Sequence, residues 1–291
     1  MFPERQLGPH RDWNEEIKFL DSIFHTGAAY TVGKVNGDHW LLYLTGPEDR
    51  CPPQSPTTAV VADPANNVAL TPPQDYTVEI LMSNLSSDAR KPFFCSPDPG
   101  TANSHADHAQ TLSSAVGITE IFPPHLTTLD AYNFTPCGYS ANALIKWRDP
   151  GHEDDTPGSH AQEGYYNIHV TPENGWSYAS FECNVPVPNN PSGNTHDDLP
   201  DLTVLVRRVV DIFQPGRLSL TLFISSGNAN NGEENGETGV EAAQRAFKSA
   251  LTTPTTRPRF ARKSLLYKRT DKINYEFGGY DLAFASFEVY P

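Results

Sequence analysis

An α+β fold is predicted for this chain, an antiparallel sheet with helices packed on it. Three observations predict it. Apolar runs of strand length outnumber helical stripes, and several adjoin through short turns. Two segments carry apolar residues at a 3.6-residue period. Pro (26) and Gly (20) are frequent among the 291 residues, which disfavours a helix-dominated architecture.

The first element is a helix: Trp13, Ile17, Leu20 and Phe24 fall on one stripe, Asp12 with Glu15 resembles a capping box, and Gly27 stops it. Two strands, 28–35 and 38–45, flank Asn36-Gly37, the strongest short hairpin signal. Residues 46–74 are Pro-rich and read as a loop, and 75–81 as a strand. Residues 96–111 are polar and low in bulk, predicting a second loop; further strands are predicted around 130–146, 164–171 and 176–185, and a polar connector over 186–200. Leu202, Leu205, Val206, Val209 and Phe213 mark a second helix, capped by Asp201 and ended by Pro215-Gly216. A strand at 217–225, a Gly/Asn/Glu loop at 226–239, a weaker helix near 240–251 and strands at 264–277 and 280–290 complete the chain.

The net charge is −14. A groove tracking phosphates, or a surface attracted to anionic lipid, needs the opposite sign, so neither nucleic acid nor membrane is an expected partner. Small cations are favoured. No run is long enough to span a bilayer and no signal-type stretch opens the chain, so a cytoplasmic location with reduced thiols is expected. Cys51, Cys95, Cys137 and Cys183 have no zinc-type spacing, and His105-Ala106-Asp107-His108 lies in the predicted loop, so no metal is expected.

The segment Phe134-Thr135-Pro136-Cys137-Gly138-Tyr139-Ser140-Ala141-Asn142 resembles the FNPCGYSMN motif of eukaryotic S-adenosylmethionine decarboxylases. Four further stretches agree in order. They are His10 to Tyr30, Thr77 to Ser83, Ile168 to Glu173 with Ser177 to Glu182, and Val209 to Arg217 with Thr221 to Phe223. The wording of these segments and the long loops resemble fungal members. The resemblance implies a four-layer αββα sandwich of two antiparallel sheets with outer helices. Residues 1–125 would be the remainder of the first αβ half, which is incomplete, and 126–291 the second.

The resemblance also implies a chemistry. Loss of CO2 from an α-amino acid leaves electrons that no protein side chain can hold, so a cofactor carbonyl is needed as sink. In this family that is a self-generated pyruvoyl group, formed from a serine in a Glu-Ser sequence. No Glu-Ser dipeptide and no TCGTT-like stretch, where the family has its proton-donor cysteine, occurs here. The chain is therefore expected to be inactive alone. An incomplete gene sequence is one explanation, and a dead paralogue regulating an active decarboxylase the other.

Residue by residue, the resemblance assigns Ser140 and His169 to formation of the pyruvoyl group. Histidine suits proton transfer, and alternation puts His169 on the polar side of its strand with Asn167 and Thr171. Phe134 would stack on the adenine, Cys137 would line the substrate site, and Glu173 would bind the ribose hydroxyls. Asp75 and Glu79 share a strand face, and a diammonium ligand needs carboxylates. The resemblance implies a putrescine site from Asp75, Thr77, Glu79, Glu182, Phe223 and Tyr280. The implied partners are S-adenosylmethionine, putrescine as activator, the missing N-terminal segment or an active paralogue, and a second copy in a homodimer.

Overall fold

The computed structural model describes residues 6–37, 39–45, 75–94, 105–148, 161–187, 199–225, 238–254, 264–277 and 279–290. The chain divides into two compact units, Met1–Pro73 and Gln74–Pro291.

In the first unit a short 3-10 turn, Gly8–Arg11, leads into helix α1, Trp13–Asp21. The Asp12 carboxylate accepts from the backbone N–H of Asn14 and Glu15, at 2.9 and 3.3 Å, satisfying two of the donors a helix start leaves over. The helix stops at Asp21, before the predicted Gly27, and Ile23 and Phe24 follow it as exposed residues. Strands β1 (Ala28–Gly33) and β2 (His39–Leu44) pair antiparallel. Asn36-Gly37 lies in their connection, but the loop is wider than a two-residue turn. Gly33 pairs with His39, and the Gly37 N–H bonds the Lys34 carbonyl at 3.0 Å.

The second unit is one eight-stranded sheet backed by helices. Its strands are β3 (Tyr76–Leu85), β4 (Thr127–Asn133), β5 (Tyr139–Arg148), β6 (Ala161–Thr171), β7 (Tyr178–Cys183), β8 (Pro215–Ser225), β9 (Tyr267–Phe277) and β10 (Tyr280–Val289). Their order is β4-β5-β6-β7-β3-β8-β10-β9, with every neighbouring pair antiparallel. The short helix α2 (Ser87–Arg90) follows β3, and α3 (His105–Val116), α4 (Leu202–Phe213) and α5 (Gly239–Thr252) supply the longer helices. The predicted boundary at 125/126 falls inside this unit, because β3 lies between β7 and β8.

Alternation makes the core. Val78, Ile80 and Met82 of β3, Ala141 and Ile145 of β5, Ile168 of β6 and Phe181 of β7 are buried with Leu205, Val206, Val209 and Phe213 of α4 and Ala243 and Phe247 of α5. Each large apolar side chain so buried contributes roughly 1.5–3 kcal/mol. Asp201 caps α4 by accepting from the Val204 N–H at 2.8 Å. Gln214 ends that helix in the left-handed conformation, φ 44°, and Pro215 begins β8 at once. Thr238 and Glu241 form a reciprocal capping box on α5.

The structure corrects two expectations. The predicted loop over 96–111 is helix from His105 onward: Ala109, Leu112 and Val116 form a buried stripe too small in bulk to stand out among the polar residues. The predicted strand over 130–146 is two, β4 and β5. Between them Phe134 to Gly138 form a loop with a cis Thr135–Pro136 bond, so Phe134 is not in strand register with Ser140. Residues 46–74 and most of 186–200 and 226–239 lie outside the described residues.

Candidate active face

Many of the candidate residues lie on the sheet face opposite the helices, where cross-strand neighbours form rows. In one row Ser140 faces His169, which faces Ser180, then Leu81 and Ser219. Ser140 Oγ and His169 Nδ1 are 3.0 Å apart, a hydroxyl–imidazole hydrogen bond. Registering β5 against β6 makes that pair, and burial of Tyr139, Ala141, Ile168 and Val170 on the other face holds the register.

The β4–β5 loop brings Phe134 and Cys137 to the same end. The Phe134 N–H bonds the Gly138 carbonyl at 2.9 Å, and the Gly138 N–H bonds Phe93 O at 3.0 Å. Gly138 has φ 113°, which a side chain would strain. The half-exposed Phe134 ring meets Tyr132 edge-on, centroids 5.0 Å apart, and Tyr132 stacks on His105 at 5.2 Å. Glu173 stands exposed in the turn after β6. The Cys137 thiol is raised above its ordinary pKa by burial, by the Glu173 charge and by a hydrogen bond to that carboxylate. Arg90 of α2 steadies the turn, Nη1 donating to Pro172 O at 3.4 Å and Nη2 to Asn174 Oδ1 at 3.1 Å.

The next row is acidic. Asn142 faces Asn167, Asn167 faces Glu182, Glu182 faces Glu79, and Glu79 faces Thr221. Two carboxylates directly opposite repel. Burial, and then the Glu182 charge, raise the Glu79 carboxyl to about 7. The Tyr165 phenol donates to Glu182 Oε1 at 2.7 Å, and this bond, burial and the carboxylate charge push the phenol up to about 12. One row further Thr77 faces Phe223. At the end of the sheet the Tyr280 phenol donates to Asp75 Oδ2 at 2.6 Å.

Hydrogen bonds thus join Ser140 with His169, Cys137 with Glu173 and Asp75 with Tyr280, while Glu79 with Glu182 and Thr77 with Phe223 are cross-strand neighbours. Sequence reading missed Tyr165, Thr221, Tyr132 and Arg90. Tyr165 shares the parity of His169 and was open to the same argument. Arg90 gave no signal, because its partners lie more than eighty residues away. Among the described residues no group of three or more metal-ligating side chains gathers, and no helix is long and apolar enough to cross a membrane. His105 and His108 instead bond Asn133, at 3.0 and 3.2 Å.

The family model for adenosylmethionine decarboxylase matches residues 1–288. The S-adenosylmethionine decarboxylase proenzyme of Saccharomyces cerevisiae is 31% identical over 237 residues, 77% of this chain and 52% of the yeast protein. The proenzyme of Xenopus laevis is 34% identical over 225 residues, 77% of this chain and 51% of its own length. The chain spans about half the length of the curated relatives it matches. Among solved structures, the Trypanosoma brucei AdoMetDC-delta26 monomer superposes over 100% of this chain and 81% of its own, with TM-score 0.52 at 20% identity, a likeness of fold. The chain belongs to the adenosylmethionine decarboxylase family.

Proposed function

We propose that this chain supplies the processing pair, the nucleoside-binding loop and the diamine site of an enzyme that decarboxylates S-adenosylmethionine for spermidine and spermine synthesis. The observation that carries the reading is the 3.0 Å bond between Ser140 Oγ and His169 Nδ1, on the same face as the Glu79–Glu182 pair one row away. A pyruvoyl group would bring a carbonyl able to accept the electrons released as CO2 leaves. Ser140 and His169 fit such a group: a hydroxyl already paired to an imidazole can exchange a proton with a neighbouring ester or amide without rearrangement.

The chain's own residues divide the work. His169 holds or moves a proton at Nδ1, and Ser140 fixes the ring's direction. Phe134 offers its face to adenine and to nearby sulfonium charge. Glu173 accepts from ribose hydroxyls, with the Cys137 thiol and the Arg90-bound turn orienting it. Asp75, Thr77, Glu79, Glu182, Phe223 and Tyr280 receive the two ammonium groups of putrescine, whose charges offset the carboxylate repulsion.

A second reading is a relative that binds and regulates an active decarboxylase. Co-expression with an N-terminal segment containing Glu-Ser, followed by intact-mass analysis, tests both. The decarboxylase reading expects the 291-residue chain alone to show no self-cleavage, the completed protein to cleave itself, and His169→Ala to accumulate uncleaved protein. Cleavage at the normal rate in that variant contradicts the assignment. Failure of the completed wild type to cleave, with stimulation of an active relative on mixing, supports the regulator.

A further inference from the structure

We propose that Tyr165 is a positioning residue of the acidic row: by donating a hydrogen bond to Glu182 it keeps the negative charge there and leaves the pair's shared proton on Glu79, so that a diammonium ligand binds by displacing one proton. The inference rests on the diamine reading above and adds to it a proton and the residue that places it.

Geometry carries the argument. Glu79 and Glu182 are direct cross-strand neighbours, so the two cannot both ionise without repulsion. Their surroundings differ. Glu182 accepts from the Tyr165 phenol at 2.7 Å, and an ionised carboxylate is the stronger acceptor of such a bond. The residue across from Glu79 on its other side is Thr221, which is fully buried and whose Oγ1 has no hydrogen-bond partner. A buried hydroxyl left unpaired beside a carboxyl marks a place where a polar ligand or a rearranged carboxylate completes the bonding. Burial of Glu79 raises its affinity for a proton in the same sense.

The groups that face Glu79 are few. On β7 they are Glu182, with Ser180 and Tyr178 toward His169; on β8, Thr221, Ser219 and Phe223; on its own strand, Thr77 and Leu81, with Asp75 two places on. Tyr178 is itself raised, chiefly by burial, and Glu79 adds to the rise. Among the described residues no lysine or arginine stands at any of these positions, and His169 lies in the neighbouring row. On this proposal the pair without ligand carries one proton below a pH of about 7. A dication brings two charges, the Glu79 proton passes to solvent, and the pair reaches −2 to match.

The test has two arms on the full 291-residue chain. In the first, without ligand, carbon-13 NMR follows the glutamate carboxyls against pH. The proposal expects one carboxyl titrating near neutrality, absent in Glu79→Gln, and shifted to higher pH in Tyr165→Phe, which keeps the ring and loses the donor. A neutral-range titration that survives Glu79→Gln, or one that Tyr165→Phe does not move, overturns it. In the second, calorimetry measures putrescine binding in buffers of different ionisation heat. Release of about one proton below the midpoint, with affinity falling roughly tenfold per pH unit there, is expected. Binding without proton release overturns the proposal and leaves the diamine reading standing. An absence of binding at pH 8, with the titration as expected, overturns the diamine reading and the ligand half of this proposal while Tyr165 keeps its place.

Discussion

Glu79 is where the chemistry of single residues is most exposed to measurement. Its folded carboxyl is raised from 4.5 to about 7 by burial and by Glu182. A raised carboxyl destabilises the fold where it must ionise: the cost is absent below the unfolded value and complete above the folded one. Stability without ligand should therefore fall as pH rises from about 4.5 through 7. Glu79→Gln removes the charge and should raise stability at pH 8 by about 1–2 kcal/mol, allowing for solvent screening at a partly exposed site, with little effect at pH 4.5. Denaturant unfolding at the two pH values checks this, and an equal effect at both would contradict it. Asp75, Thr77, Glu79, Glu182 and His169 were legible in the sequence because strand parity plus a resemblance places them. Tyr165 and Thr221 were not, since what singles them out is a partner, or the lack of one, across the sheet.

At the scale of elements, caps and periodicity were the reliable signals. Asp12 and Asp201 both take the N-cap positions read from sequence, and α4 runs over the residues its apolar stripe marked. Asp201→Ala should cost about 1 kcal/mol of stability, because the Val204 N–H loses its acceptor at 2.8 Å, and should leave the active face unaltered. A melting scan together with the Tyr165→Phe-type titration profile checks both halves. α3 escaped notice because Ala109, Leu112 and Val116 give its buried side too little bulk. The break between β4 and β5 escaped because Phe134 and Tyr139 continue the apolar pattern on either side of Pro136, whereas the backbone turns there to deliver Phe134 and Cys137 to the site.

For the whole molecule the α+β class was legible, but strand order was not. Nothing local in Tyr76–Leu85 says that it pairs with Tyr178–Cys183 on one side and Pro215–Ser225 on the other. That order matters most for function, because it sets Glu79 opposite Glu182 and brings the acidic row beside the row of Ser140 and His169. On the proposed reading this face is the working face of an S-adenosylmethionine decarboxylase. The most direct measurement is release of labelled CO2 from carboxyl-labelled S-adenosylmethionine by the chain completed with a Glu-Ser-containing N-terminal segment. The account predicts release that putrescine stimulates, and loss of it in His169→Ala; release from the His169→Ala protein equal to that of wild type, with or without putrescine, would contradict it.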